Sequence, residues 1–147
     1  KVSSGAGIAM NAALGADWCN AARAFMFSLG CVQSMRCHTD TCPTGIATQS
    51  PARQRALVIP EKAERVARFQ RSTLSALHDM VVACGLNSPD EFTPDSLRQR
   101  ISAVEMRSMD ELYSFVEPGE LLDGARDARL ARWWAQADPE SFKRRIT

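Results

Sequence analysis

Three of the chain's five cysteines fall close together, in Cys31-Val32-Gln33-Ser34-Met35-Arg36-Cys37-His38-Thr39-Asp40-Thr41-Cys42, and the stretch continues as Pro43-Thr44-Gly45. Thiolates are soft ligands, and three of them close in sequence can wrap a single metal centre. Zinc knuckles usually join their cysteines through spacers of about two to four residues. The spacers here are five and four residues long, looser than a knuckle and suited to a bulkier iron–sulfur centre. A proline directly after the last cysteine also recurs in iron–sulfur loops. Spacing alone leaves three readings open: a cluster, a zinc ion with His38 as fourth ligand, or thiols that bind nothing.

The remaining candidates are weaker. Cys19 follows Trp18 and reads as a small buried hydrophobe, and Cys84 falls on an apolar helix face. Ser3-Ser4-Gly5 is a small-residue turn whose phosphate-binding signal is slight by itself. His78, beside Leu77 on a long helix, reads as a packed or surface histidine. Trp133-Trp134 near the end of the chain mark either an anchor for the tail or a partner surface. An odd, clustered set of cysteines fits a secreted disulfide framework poorly, and points to a reducing, cytoplasmic compartment.

The elements that must position these residues change character near residue 60. Before it, charge is sparse and Ala, Gly, Cys and Met dominate; after it, Arg, Glu and Asp recur at helical spacing. Ile8–Leu14 reads as a helix closed by Gly15, Ala16–Asn20 as a short strand, and Ala21–Met35 as a second, apolar helix. Residues 36–60, broken inside the stretch before Pro43 and Pro51, should be irregular. So long a loop needs a function or a clip, and the cysteines are the obvious clip. From Glu61, Val66, Phe69, Leu74, Leu77, Val81 and Cys84 recur on one helical face until Gly85. Ser88–Glu91 and Ser108–Glu111 match the capping box, while Thr93-Pro94 and Asp138-Pro139 place a capping side chain before a first-turn proline. The C-terminal half is therefore expected to be a chain of short helices.

Leu29-Gly30-Cys31, the five- and four-residue spacers, Cys37-His38 and Cys42-Pro43-Thr44-Gly45-Ile46-Ala47-Thr48-Gln49 closely resemble the cluster loop of glutamate synthases, and more narrowly of the FMN-binding glutamate synthase family. The likeness is dense over residues 1–60 and thinner over 61–147, which is similar to the helical tail behind the synthase barrel. It implies the C-terminal part of such a protein. The implied fold is mainly α with minor β: the last βα units of a TIM-type (β/α)8 barrel with a cluster loop (1–60), then a helical region (61–147). By position, Cys31, Cys37 and Cys42 would supply thiolates to a 3Fe–4S cluster, with His38 beside it. Ser3, Ser4 and Gly5 would form one FMN-phosphate loop and Ala22 and Arg23 the other, as phosphate loops of barrels do. Ala21-Ala22-Arg23 departs from the glycine-containing turn usual there, so Arg23 would offer charge instead. The chemistry implied is two-electron reduction of 2-iminoglutarate to glutamate at FMN, with electrons arriving through the cluster from a donor protein or reductase subunit. No residue of this chain can be named as acid, base or nucleophile for that step.

Composition narrows the field. The chain has 147 residues, a net charge of +1 and 45% hydrophobic residues. It can bury a core, offers no basic stripe for nucleic acid, and holds no apolar run of the roughly 20 residues a membrane span needs. It opens at Lys1 without a methionine, which leaves processing, trimming or a longer parent open. A full barrel takes about 250 residues, so the chain alone is not expected to be a competent synthase. The alternatives to a cofactor-bearing oxidoreductase piece are a cofactor-free helical domain acting by association, for which self-pairing of an exposed half-barrel would be natural, and a zinc-clipped structural module.

Overall fold

The structure is a computed structural model and describes residues 2–143. Contacts divide it into two units, residues 1–97 and residues 98 onward. In chain order the elements are α1 (Gly5–Ala13), α2 (Ala22–Leu29), α3 (Pro51–Gln54), α4 (Ile59–Ala83), β1 (Arg98–Arg100), β2 (Met106–Ser108), α5 (Met109–Leu112), α6 (Glu120–Asp123) and α7 (Ala128–Ala135), with 3-10 turns at Cys37–Thr39 and Pro89–Glu91. The fold is mainly helical with one small two-stranded sheet.

The first unit is built on α4, against which both α1 and α2 pack. Gly5, Ala9 and Ala13 recur every four residues, so they share one face of α1 and are all buried. Small side chains let the two backbones approach closely: a methyl group on Gly5 would sit 2.8 Å from the Thr73 carbonyl oxygen and from the Ala76 carbonyl carbon. The core lies along this contact, where Ala9, Ala13, Leu77, Val81 and Phe92 are buried, with Ile8, Met80, Cys84 and Leu97 packed around them. Burying Leu77 stabilises the fold by roughly 2–3 kcal/mol relative to exposing it. Earlier along α4, Phe25 of α2 meets Phe69 edge to face, ring centroids 5.1 Å apart. Of the apolar face expected on this helix, Leu77 and Val81 are buried, but Leu74 is 50% exposed.

Helix ends follow from local chemistry. Behind α2, Gly30 takes a left-handed φ of 106°, its N–H reaching the Phe27 carbonyl while the Cys31 N–H returns to Met26. This pairing satisfies carbonyls that the helix leaves open. The expected run to Met35 therefore stops at Leu29. The same pairing closes α1 at Gly15 and α4 at Gly85. Ala16–Asn20, expected as a strand, lies in none; among the described residues the only strands pair with each other. Thr93-Pro94 opens a turn in place of a helix: the Thr93 N–H donates to Ser96 Oγ and the Ser96 N–H to the Thr93 carbonyl, each over 2.9 Å.

The second unit rests on carboxylate caps more than on a core. Among its described residues Ser108 and Met109 are buried. β1 and β2 run antiparallel, pairing Arg98 with Ser108, Gln99 with Arg107 and Arg100 with Met106. The capping box at Ser108–Glu111 forms: Glu111 Oε2 accepts from the Ser108 N–H at 2.8 Å and from its hydroxyl at 3.0 Å. Glu120 accepts from the backbone of Arg126 and Glu117. Asp127 caps α7 through the N–H groups of Arg129 and Leu130, and Arg129 lies over the Trp133 ring. Asp138-Pro139 opens a turn, the Glu140 N–H donating to Asp138 Oδ1.

Candidate functional site

The loop between α2 and α4 carries the chemistry. Cys31 enters it directly from the glycine cap of α2, so the cap fixes where its backbone starts. The three non-glycine residues with positive φ among those described all lie in this loop: Gln33 at 53°, Met35 at 58° and Asp40 at 60°. Left-handed backbone costs a side-chain-bearing residue on the order of 1 kcal/mol. Such strain gathers where a loop must present side chains rather than simply connect elements.

The second half of the loop is clipped by polar side chains. The buried Thr48 donates its hydroxyl to the Asp40 carbonyl at 2.7 Å and accepts from the Ser50 N–H at 3.2 Å. The Gln49 N–H donates to Asp40 Oδ1. Gln54 donates to the Thr48 carbonyl at 2.8 Å, and Arg53 reaches the Thr41 carbonyl at 3.4 Å. Gly45, buried at φ 78°, leaves no room for a side chain because its position abuts the Arg53 carbonyl. Asp40, Thr48 and Gln54 are thus positioning residues that sequence reasoning missed. The available signal was Asp and Thr in a proline-flanked loop, residue types that bond to nearby backbone.

All five cysteines are free thiols. Cys42 is buried while Cys37 is exposed and Cys31 intermediate. The Thr44 hydroxyl lies 3.4 Å from the Cys42 sulfur. That hydroxyl, with the backbone N–H groups of Ala47, Thr44 and Ile46, favours the thiolate over the opposing effect of burial and brings the thiol down from 9.0 to about 7. A low thiol pKa is what a metal ligand needs.

A cavity of about 350 Å³ opens beside this loop, lined by Ala22, Arg23, Met26 and Phe27 of α2 and by Cys31, Gln33, Met35 and Cys37. It brings the second expected phosphate loop together with two of the three expected thiolate ligands. Cys42 is not in its lining, and among the described residues no group of three or more His, Cys, Asp or Glu lies close enough to hold a metal ion. His38 is exposed.

The two helix starts differ, and Ser3, Ser4 and Gly5 are not in the cavity lining. Ala21, before α2, offers no side-chain cap, so the first-turn N–H groups of α2 are free of one. At α1, Ser4 is the cap, its hydroxyl oxygen accepting from the Gly7 N–H at 3.2 Å; Ser3 is exposed and Gly5 is buried against α4. Gly5 abuts residues 73–77 of α4 and Phe25, in the first turn of α2, meets Phe69. Both helices therefore begin within about two turns of each other along α4, at a rise of roughly 1.5 Å per residue.

The conserved region of glutamate synthase matches residues 1–87. The chain is 41% identical over 110 residues to the glutamate synthase large subunit-like protein YerD of Bacillus subtilis, covering 74% of this chain and 21% of that protein. It is 32% identical over 100 residues to the archaeal glutamate synthase [NADPH] of Methanocaldococcus jannaschii, covering 68% of this chain and 20% of that protein. A third relative, the ferredoxin-dependent glutamate synthase 1 of Arabidopsis thaliana, is 30% identical over 116 residues, 76% of this chain and 7% of its own length. No solved structure matches. The chain belongs to the glutamate synthase family, and it spans about a fifth of the length of YerD and of the archaeal relative. Among the described residues no helix is long and apolar enough to cross a membrane.

Proposed function

We propose that this chain is the C-terminal part of a glutamate synthase-like oxidoreductase, carrying a 3Fe–4S cluster on Cys31, Cys37 and Cys42 and one side of an FMN-phosphate site at Ser3, Ser4, Gly5, Ala22 and Arg23. The observation that carries this reading is the shared cavity: Ala22 and Arg23 line the same space as Cys31 and Cys37. A flavin phosphate and a redox cluster held by those two sets of residues would be neighbours, as electron transfer between them requires.

The donors fit such groups in their chemistry. Three reduced thiols are present, and Cys42 lies among hydrogen-bond donors that favour its thiolate. The first turn of α2 has no competing side-chain cap, and Arg23 lines the cavity with a permanent positive charge, the combination that attracts a phosphate. The cluster would deliver electrons to flavin for reductive formation of glutamate. This chain's own part is to hold both groups, with Met26, Phe27 and Met35 giving the space between them apolar walls. The barrel's strands, the amino-acid substrate site and the electron donor protein or reductase subunit belong to the rest of the assembly, in the cytoplasm.

Iron, acid-labile sulfide and flavin content of the anaerobically purified protein test this reading. About three irons per chain with sulfide and flavin are expected. Zinc in place of iron would make the loop a structural clip, and absence of both metal and flavin would leave a cofactor-free helical module.

A further inference from the structure

The three thiols expected to share one centre are not gathered in the folded loop. Cys31 and Cys37 line the same cavity of about 350 Å³, and neither Cys42 nor Cys19 is in that lining. Among the described residues no group of three His, Cys, Asp or Glu lies close enough for a metal ion. As folded, the loop presents a dithiol with the third cysteine set apart, which is not the arrangement a three-thiolate centre takes. Cys42 is only 6% exposed, in the half of the loop that Asp40, Thr48 and Gln54 clip in place. Cys84 packs against the core, its S–H toward the Ser96 carbonyl at 3.7 Å.

The chain between the paired thiols leaves them able to meet. Cys31 is anchored by the Gly30 cap, whereas Cys37 is exposed. Among the described residues no hydrogen bond ties Val32, Gln33, Ser34 or Met35 to the rest. Gln33 and Met35 are left-handed, at φ 53° and 58°, and turn the segment so that both its ends border one cavity. A disulfide needs Cα atoms roughly 4.4–6.8 Å apart. A five-residue segment with no outside hydrogen bonds can reach that spacing without breaking the fold around it.

We propose that Cys31 and Cys37 form a redox-active dithiol, which closes to a disulfide by exchange with a small disulfide of the glutathione type and leaves Cys42 as a thiol. The proposal does not rest on the cluster reading. The exposed Cys37 reacts first: its thiolate bonds to one sulfur of the oxidant, and one glutathione leaves as thiol. Cys31 then displaces the second. One S–S bond is broken and one is made; the protein pair is oxidised, and the glutathione disulfide is reduced to two thiols. In a reducing compartment such protein disulfides are transient and sense redox state. Closing this one takes both thiols away from any metal, since the thiolate is the ligand.

The experiment treats the full chain with glutathione disulfide under nitrogen, after metal has been stripped by a chelator under reductant and both have been removed. Remaining thiols are alkylated, and tryptic peptides are read by mass spectrometry. Trypsin cuts after Arg36, so a Cys31–Cys37 bond links peptides 24–36 and 37–53. The expected product is that linked pair with Cys19, Cys42 and Cys84 alkylated, and dithiothreitol undoes it. In Cys31→Ser, glutathione should remain bound at Cys37, because nothing displaces it. In Cys37→Ser, Cys31 should stay mostly a thiol. A bond from Cys42 to either partner, glutathione left unresolved on Cys37 of the native chain, or no disulfide at all overturns the proposal. Iron in the protein as purified is a separate measurement that tests the cluster reading, and neither result there changes which cysteines pair.

Discussion

At the scale of single residues, two glycines separate backbone preference from steric room. Gly30 and Gly45 are both left-handed, at φ 106° and 78°, but a methyl on Gly30 would meet nothing closer than Lys62 Nζ at 3.7 Å, whereas on Gly45 it would collide with the Arg53 carbonyl. Gly30→Ala should therefore cost about 1 kcal/mol, the conformational penalty alone. Gly45→Ala should cost more, because backbone must move as well. Urea midpoints of the two variants, read with equal slopes, give the order directly. Glu111 provides the second residue-scale expectation. The Ser108 N–H and then its hydroxyl hold its carboxyl below the ordinary range, as the Arg126 N–H does for Glu120 and the Leu130 N–H for Asp127. A depressed carboxylate contributes stability that is present above its unfolded pKa and is lost as pH falls through the folded one. The unit from residue 98 should thus weaken progressively below about pH 4–5, where carboxylates begin to protonate. Glu111→Gln should flatten that dependence, read as hydrogen exchange of the Ser108 amide against pH.

At the scale of elements, the α1–α4 contact depends on small residues, so its sensitivity runs toward overpacking. Ala9→Leu, at a fully buried position, should destabilise by about 1–3 kcal/mol, and Leu77→Ala by about 2–5 kcal/mol, both measured by denaturant unfolding. This is also where sequence reading worked best. The expected helix 61–84 is α4 at Ile59–Ala83, because a long amphipathic pattern ending in glycine leaves few alternatives. The capping box at Ser108 was equally legible, since its two side chains satisfy each other locally. Gly30 was passed over inside an apolar run, although the hydrogen bonds that stop α2 there are local ones. The hairpin at 98–108 carried no signal: Arg98-Gln99-Arg100 has no apolar alternation, and its pairing is made by backbone bonds. Ala16–Asn20 looked like a strand by composition, but a strand needs a partner as well as a pattern.

At the scale of the whole molecule, the candidate site was legible in type but only partly in place. Spacing and proline marked the cysteines as a group, and the structure puts Cys31 and Cys37 at one cavity with Ala22 and Arg23. It sets Cys42 in a separate nest of donors, clipped by Asp40, Thr48 and Gln54. Those contacts lie six to nine residues apart in sequence, beyond what local patterns report. Because the substrate site is proposed to lie outside these 147 residues, the isolated chain supplied with a reductant, glutamine and 2-oxoglutarate should form no glutamate by amino-acid analysis. The most direct test of the account is a serine scan of all five cysteines with iron per chain as readout. Cys31→Ser, Cys37→Ser and Cys42→Ser should each lose iron, while Cys19→Ser and Cys84→Ser keep it. Iron unchanged by the first three substitutions, or lost with either of the last two, would contradict the assignment.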